Sequence, residues 1–295
     1  MRLVTRADLD GVASAVLLTT VENVEQVVFA NPKDIEDRTI EVKPGDAIAN
    51  LPFHPNAGMW FDHHEKAEEQ PIGMAKVKGK WGASLSSARL IFEYFDSPLL
   101  TKYEDMLRET DRIDSANLSI EDVLDPKGWV LLSFTLDPYM GLAAFHSYAN
   151  IIISAIKSGS TIARILEIPE VKGRVGRFLL DADDFKEELK NATRLDGNVI
   201  VTDAREVDIM PTGNRFLAFA LFPEGNVQLV LTKDHAKDQV RVRIGKSIFR
   251  HTCRIHLGHL AAEYGGGGLS GAAGFNLDTK DAEQKIADII WRLKS

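Results

Sequence analysis

An apolar run, Met59-Trp60-Phe61, breaks directly into Asp62-His63-His64. That junction constrains the fold more than any other feature of the chain. A short apolar stretch ending in a carboxylate and two imidazoles reads as a buried strand giving way to a loop. In open α/β sheets, ligands bind in the crevice outside the carboxyl ends of the strands. Adjacent side chains there fan out, so one imidazole can hold a metal while the next reaches a substrate. The acid can orient either ring by a hydrogen bond to its other nitrogen. Alone, the tripeptide is a weak signal, and two neighbouring histidines in a surface loop are its plainer reading. A second cluster, Asp8-Leu9-Asp10-Gly11, follows the apolar segment Arg2–Thr5 and favours the metal reading.

The rest of the chain repeats the alternation. Val12, Ala15, Val16 and Leu18 give a helix after Gly11 an apolar face, Gln26–Phe29 reads as a second strand, and residues 47–50 as a third. Residues 82–95 form an amphipathic helix with Leu85, Ala88, Phe92 and Phe95 on one side. The chain then reads mainly helical from 99 to 156, interrupted at 111–117 and at Asp125-Pro126. Phe178, Ala182, Phe185 and Leu189 mark a linker helix. Beyond it come strands at 197–202, 226–232 and 239–244, a short helix at 255–263, a glycine run and a closing helix from 279. The expected fold class is α/β, with a mostly parallel sheet flanked by helices, a linker helix and a smaller C-terminal α/β domain. The expected division is 1–190, linker helix included, and 195–295.

A chain of 295 residues is long for one core, which suits two domains. Its net charge of −8 argues against non-specific coating of long nucleic acid but leaves room for a local phosphate site. No apolar run spans a bilayer, and Met1-Arg2-Leu3 leads straight into a strand without signal-peptide architecture. The single Cys253 excludes an internal disulfide framework. These features set the expectation of a cytoplasmic protein with no membrane partner.

Asp8, Asp10, Asp62, His63, His64, Asp111 and Asp114 each fall at the end of an element. Carboxylates with histidine suit Mn²⁺, Mg²⁺ or Zn²⁺, and without nearby cysteine a structural zinc site is disfavoured. The plainer alternative is that Asp8 and Asp10 cap the following helix and that Asp111 and Asp114 punctuate a helix boundary. Four consecutive glycines, Gly265, Gly266, Gly267 and Gly268, permit close backbone approach and an anion-binding nest, or else a flexible linker. Upstream, Arg241, Arg243, Lys246, Arg250 and Arg254 lie in a stretch without acidic residues, which suggests a phosphate-facing patch. His251, Cys253, His256 and His259 read as packing or surface residues.

The order of these motifs resembles the DHH phosphoesterase superfamily. Asp-x-Asp-Gly, Asp-His-His, a later Asp, a linker helix and Gly-Gly-Gly-Gly-x-x-Gly-Ala-Ala-Gly cover nearly the whole chain. The likeness is to the exopolyphosphatase-like and RecJ-like branches, with their DHH-associated C-terminal domain. It implies a two-metal, usually manganese-dependent phosphoesterase acting in a cleft between the domains on a small phosphorylated substrate, such as a short oligonucleotide, nucleotide or polyphosphate. It implies Asp8 on one metal and Asp10, His63 and Asp114 on the other, with Asp111 the rival to Asp114. It makes Asp62 a supporting carboxylate and turns His64 toward the substrate phosphate. Arg243 and Gly265 to Gly268 would take the terminal phosphate. Whether the chain forms a homodimer is left open.

Three positions depart from the family pattern. Arg6 stands where a histidine usually precedes the first aspartate, Asn50 where a bridging aspartate usually ends a strand, and Leu269 where a histidine usually follows the glycines. Arginine cannot ligate a metal, and asparagine is a poor bridge between two dications. The expectation is therefore at most one tightly bound Mn²⁺ (or Mg²⁺) at Asp10, His63 and Asp114, with Asp8 turned toward Arg6. Two functions follow: a phosphoesterase, or a degenerate member that binds a nucleotide or other phosphorylated ligand as a sensor without turnover. No feature supports a purely structural subunit.

Overall fold

The computed structural model describes residues 1–64, 77–137, 146–208, 210–234 and 237–294. Two compact units emerge: Met1–Asn117 with Pro126–Gly176, and Leu118–Asp125 with Arg177–Ser295.

The first unit begins with β1 (Arg2–Thr5), α1 (Leu9–Val21), β2 (Gln26–Phe29), α2 (Pro32–Glu36), β3 (Asp46–Ala49), β4 (Ala57–Asp62) and β5 (Lys78–Trp81). The strands form one sheet in the order β2-β1-β3-β4-β5, with every pairing parallel. Alternate side chains feed two cores on opposite faces, Leu3, Ala49, Met59 and Phe61 on one and Val4, Ile48 and Trp60 on the other. Burial on both faces explains why these strands read as short, continuous apolar runs. The register pairs Thr5 with Ala49, Ala49 with Phe61, and Asp62 with Trp81. Three strand ends are thereby brought level, and the residues that follow them share one edge of the sheet.

Helix α1 is buried along most of its length rather than on one face. Gly11 is required where it stands, because a Cβ there would lie 1.9 Å from the Arg6 carbonyl oxygen. The unit continues with α3 (Ser87–Phe95), a 3₁₀ turn (Pro98–Tyr103) and α4 (Glu104–Asp114). α3 starts five residues later than the sequence pattern suggests: Ser86 caps it by accepting from Arg89 N, and Leu85 lies ahead of it, 53% exposed. Asp111 and Asp114 sit within α4 rather than in a break. Of the helical stretch expected up to 156, residues 138–145 lie outside the described residues.

The segment α5 (Ile120–Leu124) belongs to the second unit, and α6 (Gly128–Leu136), α7 (His146–Lys157) and α8 (Ile162–Leu166) complete the first. The expected single linker helix is two, α9 (Pro169–Leu180) and α10 (Ala182–Asn191), meeting at Asp181. The second unit then runs β6 (Thr193–Asp196), β7 (Val199–Asp203), α11 (Leu217–Leu221), β8 (Val227–Asp234), β9 (Gln239–Lys246), α12 (Leu257–Ala262), β10 (Gly267–Gly268), β11 (Ala272–Asp278) and α13 (Ala282–Leu293). Its sheet order is β10-β11-β9-β8-β7-β6, antiparallel except for β7 against β8. Val240, Val242 and Ile244 point into a core with Ile286, Ile289 and Leu293, which leaves Arg241 and Arg243 on the open face. Among the described residues, no helix is long and apolar enough to cross a membrane.

Candidate metal centre and phosphate-binding residues

Asp10, His63 and Asp114 each offer a ligand atom, and these atoms all lie within 4.8 Å of one another. Asp10 comes from the first turn of α1, His63 from the end of β4, and Asp114 from the last turn of α4. His63 Nε2 lies 2.9 Å from Asp114 Oδ2 and 3.9 Å from Asp10 Oδ2. That nitrogen is buried and makes no well-aligned hydrogen bond. His63 Nδ1 lies 3.2 Å from the Ser84 carbonyl oxygen and donates to it in the tautomer that leaves Nε2 for a ligand. Two carboxylates converging on a buried imidazole nitrogen fit a hard divalent cation such as Mn²⁺ or Mg²⁺.

The electrostatics agree with that fit. Burial, together with the charge of Asp114, pushes the Asp10 carboxyl up to about 7. Burial disfavours the His63 imidazolium, but contact with Asp114 and the charges of Asp114 and Asp10 outweigh it and raise the group to about 9. Without an ion, a proton on His63 supplies the positive charge that the two carboxylates require.

Asp8 stands apart from this group. Its Oδ1 accepts from Gly11 N at 2.9 Å, capping α1, and from Asn50 Nδ2 at 2.9 Å. Its Oδ2 pairs with Arg6 Nε at 3.1 Å. Asn50 follows β3 with φ 56°, a left-handed conformation that asparagine tolerates, and its N–H donates to the Phe61 carbonyl oxygen. The three side chains thus form a compact Arg6–Asp8–Asn50 group beside the Asp10 cluster, with Asp8 committed to protein donors.

Asp62 and His64 form a second pair. Asp62 is buried, and its Oδ1 accepts from His64 Nδ1 at 2.7 Å. The bond holds the ring in the tautomer whose Nε2 remains for a substrate group. Asp111 is not beside His63; it is buried and salt-bridged to Arg89.

In the second unit, Arg243, Gly265 and Gly266 share the lining of a cleft of about 500 Å³ with Arg241, Gly274 and Asn276. Gly267 and Gly268 form β10, paired with Gly274 and Ala273. Gly266 needs its lack of a side chain, since a Cβ would lie 2.2 Å from the Gly274 carbonyl oxygen. Part of the glycine run is therefore accounted for by strand packing. Arg241 pairs with Asp234, and Arg250 donates to the Glu224 carbonyl oxygen, so the basic stretch is not a uniform phosphate patch. His256 Nδ1 accepts from His259 N as the cap of α12, and the two rings stack at 3.7 Å.

Sequence reasoning missed the elements that hold the cluster. The carboxylate of Asp10 accepts from Ser87 N at 3.0 Å and Ala88 N at 2.8 Å, the first amides of α3. A signal existed, since Ser86-Ser87 before an apolar helical run is a capping pattern.

No family model matches the chain, and no curated protein sequence does. Solved structures do. A pGpG-specific phosphodiesterase, PggH from Vibrio cholerae, is 31% identical over 99% of this chain and 98% of its own, with a TM-score of 0.81. RecJ of Thermus thermophilus in complex with Mn²⁺ matches with a TM-score of 0.56 at 13% identity, and its complex with Mg²⁺ with 0.52 at 12%. Each covers 99% of this chain, which spans 52% and 49% of those RecJ chains, and these two likenesses speak for the fold alone. The chain belongs to the DHH phosphoesterase superfamily.

Proposed function

We propose that the protein is a divalent-metal-dependent phosphodiesterase that hydrolyses a short 5′-phosphorylated oligonucleotide, with a dinucleotide of the pGpG kind as the first candidate. The observation that carries this reading is the convergence of Asp10, His63 and Asp114, in a chain similar over its whole length to a pGpG-specific phosphodiesterase. These three residues would hold one Mn²⁺ or Mg²⁺. An ion there supplies charge at the phosphoryl group and makes water more acidic.

The chain's own residues contribute the rest. His64, held by Asp62, offers Nε2 to a phosphoryl oxygen or to the leaving oxygen, and the carboxylate stabilises the ring when it carries a second proton. Arg6 is held by Asp8 close to the cluster and adds fixed positive charge, so that a phosphodiester meets a cation and a guanidinium without a second metal. Within the second unit, the cleft lined by Arg243, Gly265 and Gly266 offers a guanidinium and backbone that would suit a phosphate group.

The commitment of Asp8 to Arg6, Asn50 and Gly11 favours a second reading: a protein that binds such a ligand without cleaving it. Incubating pGpG with the protein and Mn²⁺ separates the two. The phosphodiesterase reading expects release of mononucleotides by the wild type and none by His63→Ala. Saturable binding with the dinucleotide recovered intact would establish the binding-only protein.

A further inference from the structure

Asp111 carries a network that the proposed chemistry does not use. Its Oδ1 accepts from Ser86 Oγ at 2.6 Å. Its Oδ2 accepts from Arg89 Nε at 2.8 Å and Arg89 Nη2 at 2.5 Å. Ser86 Oγ in turn accepts from Arg89 N at 3.0 Å. Ser86 is fully buried and Asp111 is 5% exposed, so the Ser86–Asp111 bond is little screened, while Arg89 keeps part of its side chain in solvent. The result is a closed ring through three residues, one link being the Arg89 backbone amide, tying the N-terminus of α3 to α4.

Each end of that tie carries one arm of the metal centre. The α3 end presents Ser87 N and Ala88 N, and both donate to Asp10. The first amides of a helix have no partner within the helix, which makes them natural donors to a fixed carboxylate. The α4 end carries Asp114, three residues after Asp111 and on the same helix face. Asp10 is therefore placed by the end of α3, Asp114 by the last turn of α4, and the Ser86–Arg89–Asp111 ring joins those two pieces of backbone.

We propose that Asp111, through Ser86 and Arg89, is a positioning residue that sets the separation of Asp10 and Asp114 and so determines how tightly the centre holds its cation. The inference rests on the metal-binding reading of Asp10, His63 and Asp114. Outer partners of metal ligands characteristically change metal affinity by about 10- to 100-fold when removed.

The test is to titrate full-length Asp111→Asn and wild type with Mn²⁺ by calorimetry, and to record the Ser87 and Ala88 amide resonances of both proteins without metal. The expected result is Mn²⁺ affinity weakened by about 10- to 100-fold, with both amide resonances displaced upfield as their bonds to Asp10 lengthen. Unchanged affinity would overturn the proposal. So would weaker affinity with both amides unmoved, because Asp111 would then act by another route. Should the wild type bind no Mn²⁺, the metal reading fails by itself, and the amide comparison alone decides whether the ring places Asp10. Ser86→Ala breaks the ring while leaving the Arg89–Asp111 pair, and carries the same expectations should Asp111→Asn not fold.

Discussion

The metal centre should be in steep competition with protons. In the ion-free protein burial pushes Asp10 up to about 7, the neighbouring carboxylates raise His63 to about 9, and a bound cation needs both deprotonated. Each ion should displace about two protons below pH 7 and about one between pH 7 and 9. His63 alone, raised to about 9, weakens apparent Mn²⁺ affinity about a hundredfold from pH 8 to pH 6, and the raised Asp10 steepens that fall. Isothermal titration across that range, in buffers of different ionisation enthalpy, measures affinity and proton release together. His63→Ala removes a ligand, so its residual binding should be weak and lose the slope associated with His63. Affinity independent of pH between 6 and 8 would refute the assignment of Asp10 and His63 as ligands.

Stability should show the opposite dependence when no metal is present. Burial raises Asp10, so its contribution is present below its ordinary carboxylate value and is lost as pH climbs toward 7. His63 is also raised; its contribution is present below 6.5, is lost as pH rises through about 9, and is worth about 3 kcal/mol. Thermal melting of metal-free protein should therefore move to lower temperature from pH 6.5 to 9, while saturating Mn²⁺ removes most of that fall; parallel curves with and without Mn²⁺ would count against the site. Arg6→His with Asn50→Asp replaces the guanidinium and amide on Asp8 with groups that ligate, so elemental analysis should find more ions per chain than in the wild type, and an unchanged number would show that Arg6 and Asn50 do not limit occupancy. Arg243→Ala should weaken binding of pGpG under non-hydrolysing, metal-free conditions, by about 10-fold for the loss of one charge-assisted contact, with the melting temperature kept; equal affinity would remove Arg243 from the phosphate site.

The first sheet was largely legible because its central strands are short, apolar and buried on both faces. β1 and β2 lie where their residues suggest, and β3 is displaced by one residue. β5 was not legible: Lys78-Gly79-Lys80-Trp81 is an edge strand with no apolar run. The start of α3 was obscured because Leu85 and Ala88 are three apart, as on a helix, while the true start signal was the N-cap at Ser86. Spacing could not choose between Asp111 and Asp114, since both occupy one face of α4. The partners that separate them, Arg89 and Ser86 for one and His63 for the other, come from distant parts of the chain. The proximity of Arg6, Asp8 and Asn50 depends on the register of β1 with β3, which the sequence only suggested.

The most direct test of the whole account is a crystal structure of the protein equilibrated with millimolar Mn²⁺, with the ion located by anomalous scattering. The account predicts one strong peak bound by Asp10, His63 and Asp114, with Asp8 still paired to Arg6 and Asn50. Two manganese ions sharing Asp8, or a peak elsewhere with the Asp10 cluster empty, would contradict it.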